Sequence, residues 1–124
     1  MNNPYQNISK VSAAIGGYSG PHYSVQFDFI NETVEYHRLD YIVENNNVKT
    51  FNKERLLFSL ESLGVLKWKP FYVNPEIMDG TQWNLEIEFT DGRDIFEVCG
   101  SNKFPVGWTL LCKTISLITR KPFS

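Results

Sequence analysis

The sequence is poor in cysteine, in runs of like charge and in long apolar stretches, and each shortage excludes a class of protein. Two cysteines, Cys99 and Cys112, cannot build a disulfide framework, and neither stands in a C-x-x-C pair. Twelve basic residues against fourteen acidic ones leave a net charge of −2. There is no Lys or Arg run of the kind that tracks a phosphate backbone, so nucleic acid is not an expected partner. No apolar run approaches the roughly 20 residues that a membrane helix needs. The first residues lack the basic-then-apolar order of a secretion signal. The expectation is a cytoplasmic protein with two reduced, mostly buried thiols and no membrane partner. Motifs that carry chemistry are missing as well: no P-loop, no dinucleotide fingerprint, no G-x-S-x-G, and no ligand spacing among His22, His37, Cys99 and Cys112. Neither a cofactor, a metal nor an enzymatic activity is expected.

What the sequence has in excess is aromatic side chains. Nine Phe, six Tyr and three Trp make up 15% of 124 residues, the length of one domain spanning 1–124. A chain of this size buries roughly two-thirds of its unfolded surface, so the core needs no covalent staple. Most of the excess falls on inferred core faces: Tyr23, Phe27, Phe29, Tyr36, Trp83, Phe89, Phe96 and Trp108. Tyr18, Trp68, Phe71 and Tyr72 are left on loops and edges as the aromatics available for function.

Alternation locates those faces. Tyr23, Val25, Phe27 and Phe29 alternate with Ser24, Gln26 and Asp28; after the polar turn Asn31-Glu32, alternation resumes at Val34–His37. Trp83, Leu85, Ile87 and Phe89 repeat the pattern, and Asp91-Gly92 turns the chain into a return strand over 95–99. Each hairpin is followed by a helix. Asn52 caps one with a stripe of Leu56, Leu57, Leu60 and Leu63, ended by Gly64. Pro105 fits the first turn of the other, which runs to about Thr119 and buries Trp108, Leu111, Ile115 and Ile118, widened by Leu110, Cys112 and Leu117.

A strand is also expected ahead of each hairpin: Val11, Ala13 and Ile15 alternate, and Leu66–Val73 is a second, confined by Pro70 to an edge or bulge. Ile8, Val11 and Ile15 equally share a helical face, so the segment 8–16 stays open between strand and helix. The resulting fold class is α+β. Duplicated strand-strand-strand-helix units, about 8–63 and 66–119, form an antiparallel sheet with two helices packed on one face. The segment Asp40–Thr50 reads as the loop with most freedom.

Hairpin register sharpens the site expectation. If Thr90 faces Arg93 across a two-residue turn, Ile87 faces Phe96 and Leu85 faces Val98 on the buried side. The helix-free side then carries Glu86, Glu88 and Glu97, and the first hairpin adds Asp28, Glu35 and His37. Such a face is either simply solvated or a docking surface for a basic protein partner. Glu86 and Glu88 have the same-face spacing of an inverting carboxylate pair, about 6.5–7 Å, but an open sheet offers no pocket to raise one of them. Two loops are candidates for ligand contact: Gly16–Pro21 with Tyr18, and Gly100–Pro105, where Ser101 and Asn102 precede a helix N-terminus. Ile95 on the outer face and the Pro70 edge leave a homodimer open.

The segments Asp79-Gly80-x-x-Trp83-x-Leu85-x-Ile87 and Gly100-Ser101-Asn102-x-Phe104-Pro105-x-x-Trp108, with Gly16-Gly17-Tyr18-x-Gly20-Pro21, resemble a group of small uncharacterised proteins from Gram-positive bacteria. The resemblance implies a bacterial or phage origin and supplies no activity, fold or catalytic residue. Cys99 and Cys112 fall outside its pattern. The expected function is a small non-enzymatic binding protein that acts by protein–protein contact, as an immunity protein or inhibitor does. The alternatives are a small-ligand binder using the glycine-rich loops and an enzyme of unrecognised type.

Overall fold

In the computed structural model, which describes residues 3–17, 22–39, 49–76 and 80–123, the alternating segments are strands. Expectations at Tyr18 and over 40–48 lie outside the described residues. In chain order the strands are β1 (Ile8–Gly17), β2 (His22–Asp28), β3 (Thr33–Leu39), β4 (Lys49–Thr50), β5 (Phe71–Val73), β6 (Thr81–Phe89) and β7 (Phe96–Ser101). Helix α1 (Lys53–Ser62) follows β4, and α2 (Trp108–Thr119) follows β7. The strands form one sheet in the order β4-β3-β2-β1-β6-β7-β5. Every pairing is antiparallel except β5 with β7, which is parallel. No helix among the described residues is long and apolar enough to cross a membrane.

The register of the second hairpin follows from the need to bury one face: Leu85 faces Val98 and Ile87 faces Phe96. Its tip is looser than a two-residue turn. Pairing to β7 stops at Ile87, while β6 runs on to Phe89 against Ile8. The Thr90 N–H donates to the Asn7 carbonyl (2.7 Å), and Arg93 Nε folds back on Asp91 (2.9 Å). The segment over 8–16 is a strand, in which Val11, Ala13 and Ile15 are buried.

Both helices pack on the face that holds these side chains. Asn52 accepts from the Arg55 N–H (3.2 Å) and starts α1; Gly64, at φ 63, lets the chain leave it. Leu56 and Leu60 are fully buried, each contributing about 1.5–3 kcal/mol. In α2 the buried stripe is Trp108, Leu111, Cys112, Ile115 and Thr119. The chain turns back after Arg120, at φ 58, and places Phe123 in the core beside Tyr23 (6.3 Å between ring centroids).

Further expectations are corrected. Leu110 and Leu117 do not widen the buried face of α2 but stand exposed; they are seven residues apart, on the side of the helix turned from the sheet. Pro105 lies ahead of the helix, in a turn closed by the Trp108 N–H to its carbonyl (3.1 Å). The strand expected from Leu66 begins only at Phe71, because buried Val65 anchors a 3-10 turn through Lys67 and Pro70 then bends the chain onto the sheet edge. Cys99 is exposed, since its position on β7 points away from the helices, whereas Cys112 is buried.

The two halves share the order hairpin then helix, with differently placed leading strands. β1 sits at mid-sheet between β2 and β6, and β5 lies at the edge beside β7. Trp68, just after the 3-10 turn, and Tyr72, on the edge strand β5, are half-buried and pack against the core. Trp68 (6.4 Å) and Trp83 (4.4 Å) flank Trp108, and Tyr72 lies 5.9 Å from Trp83. The Trp83 indole N–H donates to the Lys103 carbonyl (2.8 Å). Its ring lies where a Cβ on Gly100 would stand.

Candidate functional site on the open sheet face

The face away from the helices is ruled by the small residues of β1. Ser12, Ala14 and Gly16 point there, flanked by Gln26, Ser24 and His22 on β2 and by Glu86, Asn84 and Gln82 on β6. Over Ser12 the Gln26 side-chain amide reaches across to the hydroxyl (3.5 Å). Toward Gly16 the face holds a hollow of about 800 Å³ whose lining also includes Gly80, Cys99 and Ser101. The His22 ring lies over Gly16, at the place a Cβ there would occupy.

The sequence-predicted acids lie on the same face, in two rows. Glu35, Gln26, Ser12, Glu86 and Glu97 face one another in turn across β3, β2, β1, β6 and β7. Thr33, Asp28, Lys10 and Glu88 form the next row. The rows differ in charge balance. Lys10 lies between Asp28 and Glu88 and pairs with Glu88 (Nζ to Oε2, 3.7 Å). Asp28 is committed to the hairpin turn, where its carboxylate accepts from the backbone N–H groups of Ile30 (2.9 Å) and Asn31 (3.0 Å) and from the Asn31 side-chain amide (2.8 Å). The Asn31 backbone bond, then its side chain, hold the Asp28 carboxyl below its ordinary value. By contrast Glu86 and Glu97 face each other directly, and no cation pairs with them or with Glu35 among the described residues.

Of the loop candidates, Tyr18 lies outside the described residues. Ser101 lines the hollow. Asn102 serves the backbone instead. It sits at φ 61, and its side-chain oxygen accepts from the Thr81 N–H (2.8 Å) and fills the space above Gly80. Neither residue stands at a helix N-terminus, because α2 begins at Trp108.

Strand order also disposes of a thiol–imidazole pair. Cys99 on β7 is three strand spacings from His22 on β2 and four from His37 on β3, about 14 and 19 Å at about 4.8 Å per strand. No group of three or more metal-ligating side chains occurs among the described residues. The hollow itself was not expected from the sequence. Its signal was present: three small residues of one parity, Ser12, Ala14 and Gly16, inside a strand whose other face is wholly apolar. No protein-family model matches the chain, and no curated protein gives a significant sequence match.

Proposed function

We propose that the protein is a non-enzymatic binding module, acting in the cytoplasm through contact of its open sheet face with a basic surface of another protein, in the manner of an immunity protein or inhibitor. One observation carries the reading. Glu86 and Glu97 are directly opposed and exposed with no cation on them among the described residues, an arrangement that costs stability in the free protein and that a partner's Lys or Arg would relieve. The net negative charge disfavours nucleic acid as that partner. Bacterial or phage origin and an internal duplication of the hairpin-and-helix unit belong to the same proposal, as does a homodimer through the β5 edge. The test is capture of partners by the wild type and by Glu86→Lys/Glu97→Lys at matched salt. The reversed protein should lose them; retention of the same partners at the same salt rejects the acidic face as the contact.

The hollow at the Gly16 end favours a second reading, a small-ligand site on the same face. At about 800 Å³ it has the size of a small-molecule pocket, about 300–1,000 Å³.

A further inference from the structure

We infer that the outer face of the helix layer docks on the same face of a second copy, in a two-fold dimer that leaves the open sheet face free. α1 and α2 lie side by side and antiparallel. The end of α1 at Leu63 meets the start of α2 at Gly107, and the Ser59 hydroxyl donates to that of Thr114 (3.4 Å). Opposite the sheet, each helix presents large apolar side chains to solvent: Phe58 on α1 is 73% exposed, and Leu110 and Leu117 on α2 are 57% and 63% exposed. The charges beside them select the occupant. At about 100° per residue, Glu54 and Glu61 flank Phe58 on the side away from α2, whereas Lys113 flanks Leu117 on the side away from α1. From 103 to 121 the chain has four basic residues and no acid. The basic residues of α1, Lys53 and Arg55, are confined to its first turn, at one end of the layer. Among the described residues, Glu54, Glu61, Lys113 and Arg120 form no ion pair. Glu61 accepts from the Asn3 amide (2.9 Å), which leaves its charge uncompensated.

One symmetry operation satisfies both helices. A two-fold axis parallel to them sets α1 of each copy on α2 of the other, with every neighbouring pair antiparallel, as in a four-helix bundle. Phe58 and Lys113 stand at about the same level of the antiparallel pair, so the partner's Phe58 seats between Leu110 and Leu117. The partner's Glu54 and Glu61 then lie about one turn, roughly 5 Å, to either side of Lys113. Stacking α2 on α2 would instead set Lys113 and Arg120 against their own copies.

The test is sedimentation velocity of the intact chain from about 10 μM to 1 mM, the range of a small interface, with circular dichroism as the check on folding. The wild type should pass from monomer to dimer over this range, and less readily as salt rises. Phe58→Ser and Leu117→Ser, at exposed positions, should each weaken the dimer about tenfold or more with the fold retained. Lys113→Glu and Glu54→Lys/Glu61→Lys should each be monomeric alone. Mixed in equal amounts they should form a heterodimer, since one then carries acid on both helix stripes and the other base. A wild type that stays monomeric throughout overturns the inference. So does a dimer that the serine substitutions leave intact, or a mixture of the two charge variants that fails to associate.

Discussion

Gly100→Ala puts the packing around the tryptophans to the test. An added Cβ would stand 2.2 Å from Trp83 Nε1, 2.5 Å from Cε2 and 2.8 Å from the Lys103 carbonyl oxygen. The first two atoms belong to a side chain that is 3% exposed, packed at a tilt against Trp108 and bonded to that same carbonyl. The third is backbone. None can retreat alone. Forcing the ring aside is an overpacking cost of about 1–3 kcal/mol, and stripping its N–H of a partner in a dry site costs about 1–3 kcal/mol more. The total is a large share of the roughly 5–15 kcal/mol that holds a domain together. At about 4 °C per kcal/mol for a chain of this length, Tm should fall by roughly 8–24 °C. Thermal melts followed by far-UV circular dichroism, on the wild type, Gly100→Ala and Gly17→Ala, make the comparison. At Gly17 the nearest atom to an added Cβ is 3.8 Å away, so this control reports the generic effect of losing a glycine from a strand. A Gly100→Ala shift below about 2 °C, or equal to that of Gly17→Ala, refutes the close approach of Trp83 to the β7 backbone.

Other consequences are simpler to read. Asn52→Ala removes the acceptor for the Arg55 N–H and should cost about 1 kcal/mol in urea melts. Glu97→Lys replaces a like-charged neighbour of Glu86 by an opposite one; it should stabilise by about 0.2–1 kcal/mol, and by less in 1 M salt. Asp28 is held below its ordinary value of 3.8, so its carboxylate stabilises the fold above that pH, and the contribution fades as pH falls through the lowered folded value. The difference between wild type and Asp28→Ala should therefore be full at pH 7 and shrink below pH 3.8. A thiol reagent should label Cys99 alone in the native protein and Cys112 as well in denaturant; two fast thiols under native conditions contradict the burial of Cys112.

Sequence pattern specified local structure well where one face had to be buried. The pairing of Leu85 with Val98 and Ile87 with Phe96 was legible because a one-residue slip would turn the whole apolar set to water. The α1 cap and stop were legible because Asn52 and Gly64 each act within a turn of the helix. Failures came where a residue's fate depends on a distant neighbour. Nothing local distinguishes Leu110 and Leu117 from their buried companions; whether a layer covers them is decided by tertiary structure. Phe123 enters the core by folding back on Tyr23, a hundred positions earlier, without periodicity of its own. The parallel pairing of β5 with β7 has no turn signal to announce it. Of the acidic face, the residues were readable, whereas their charge balance was not. The pairing of Glu88 with Lys10 requires knowing that β1 lies beside β6.

Gathering Trp68, Trp83 and Trp108 into a single cluster makes the protein's intrinsic emission one-sided. All indole fluorescence arises where α2 meets β6, and none from the half of the sheet that carries β2, β3 and β4. Partial opening of those strands would leave the emission nearly unchanged while the circular dichroism fell. Disagreement between the two signals during unfolding would then locate the first part to come apart, with no label added.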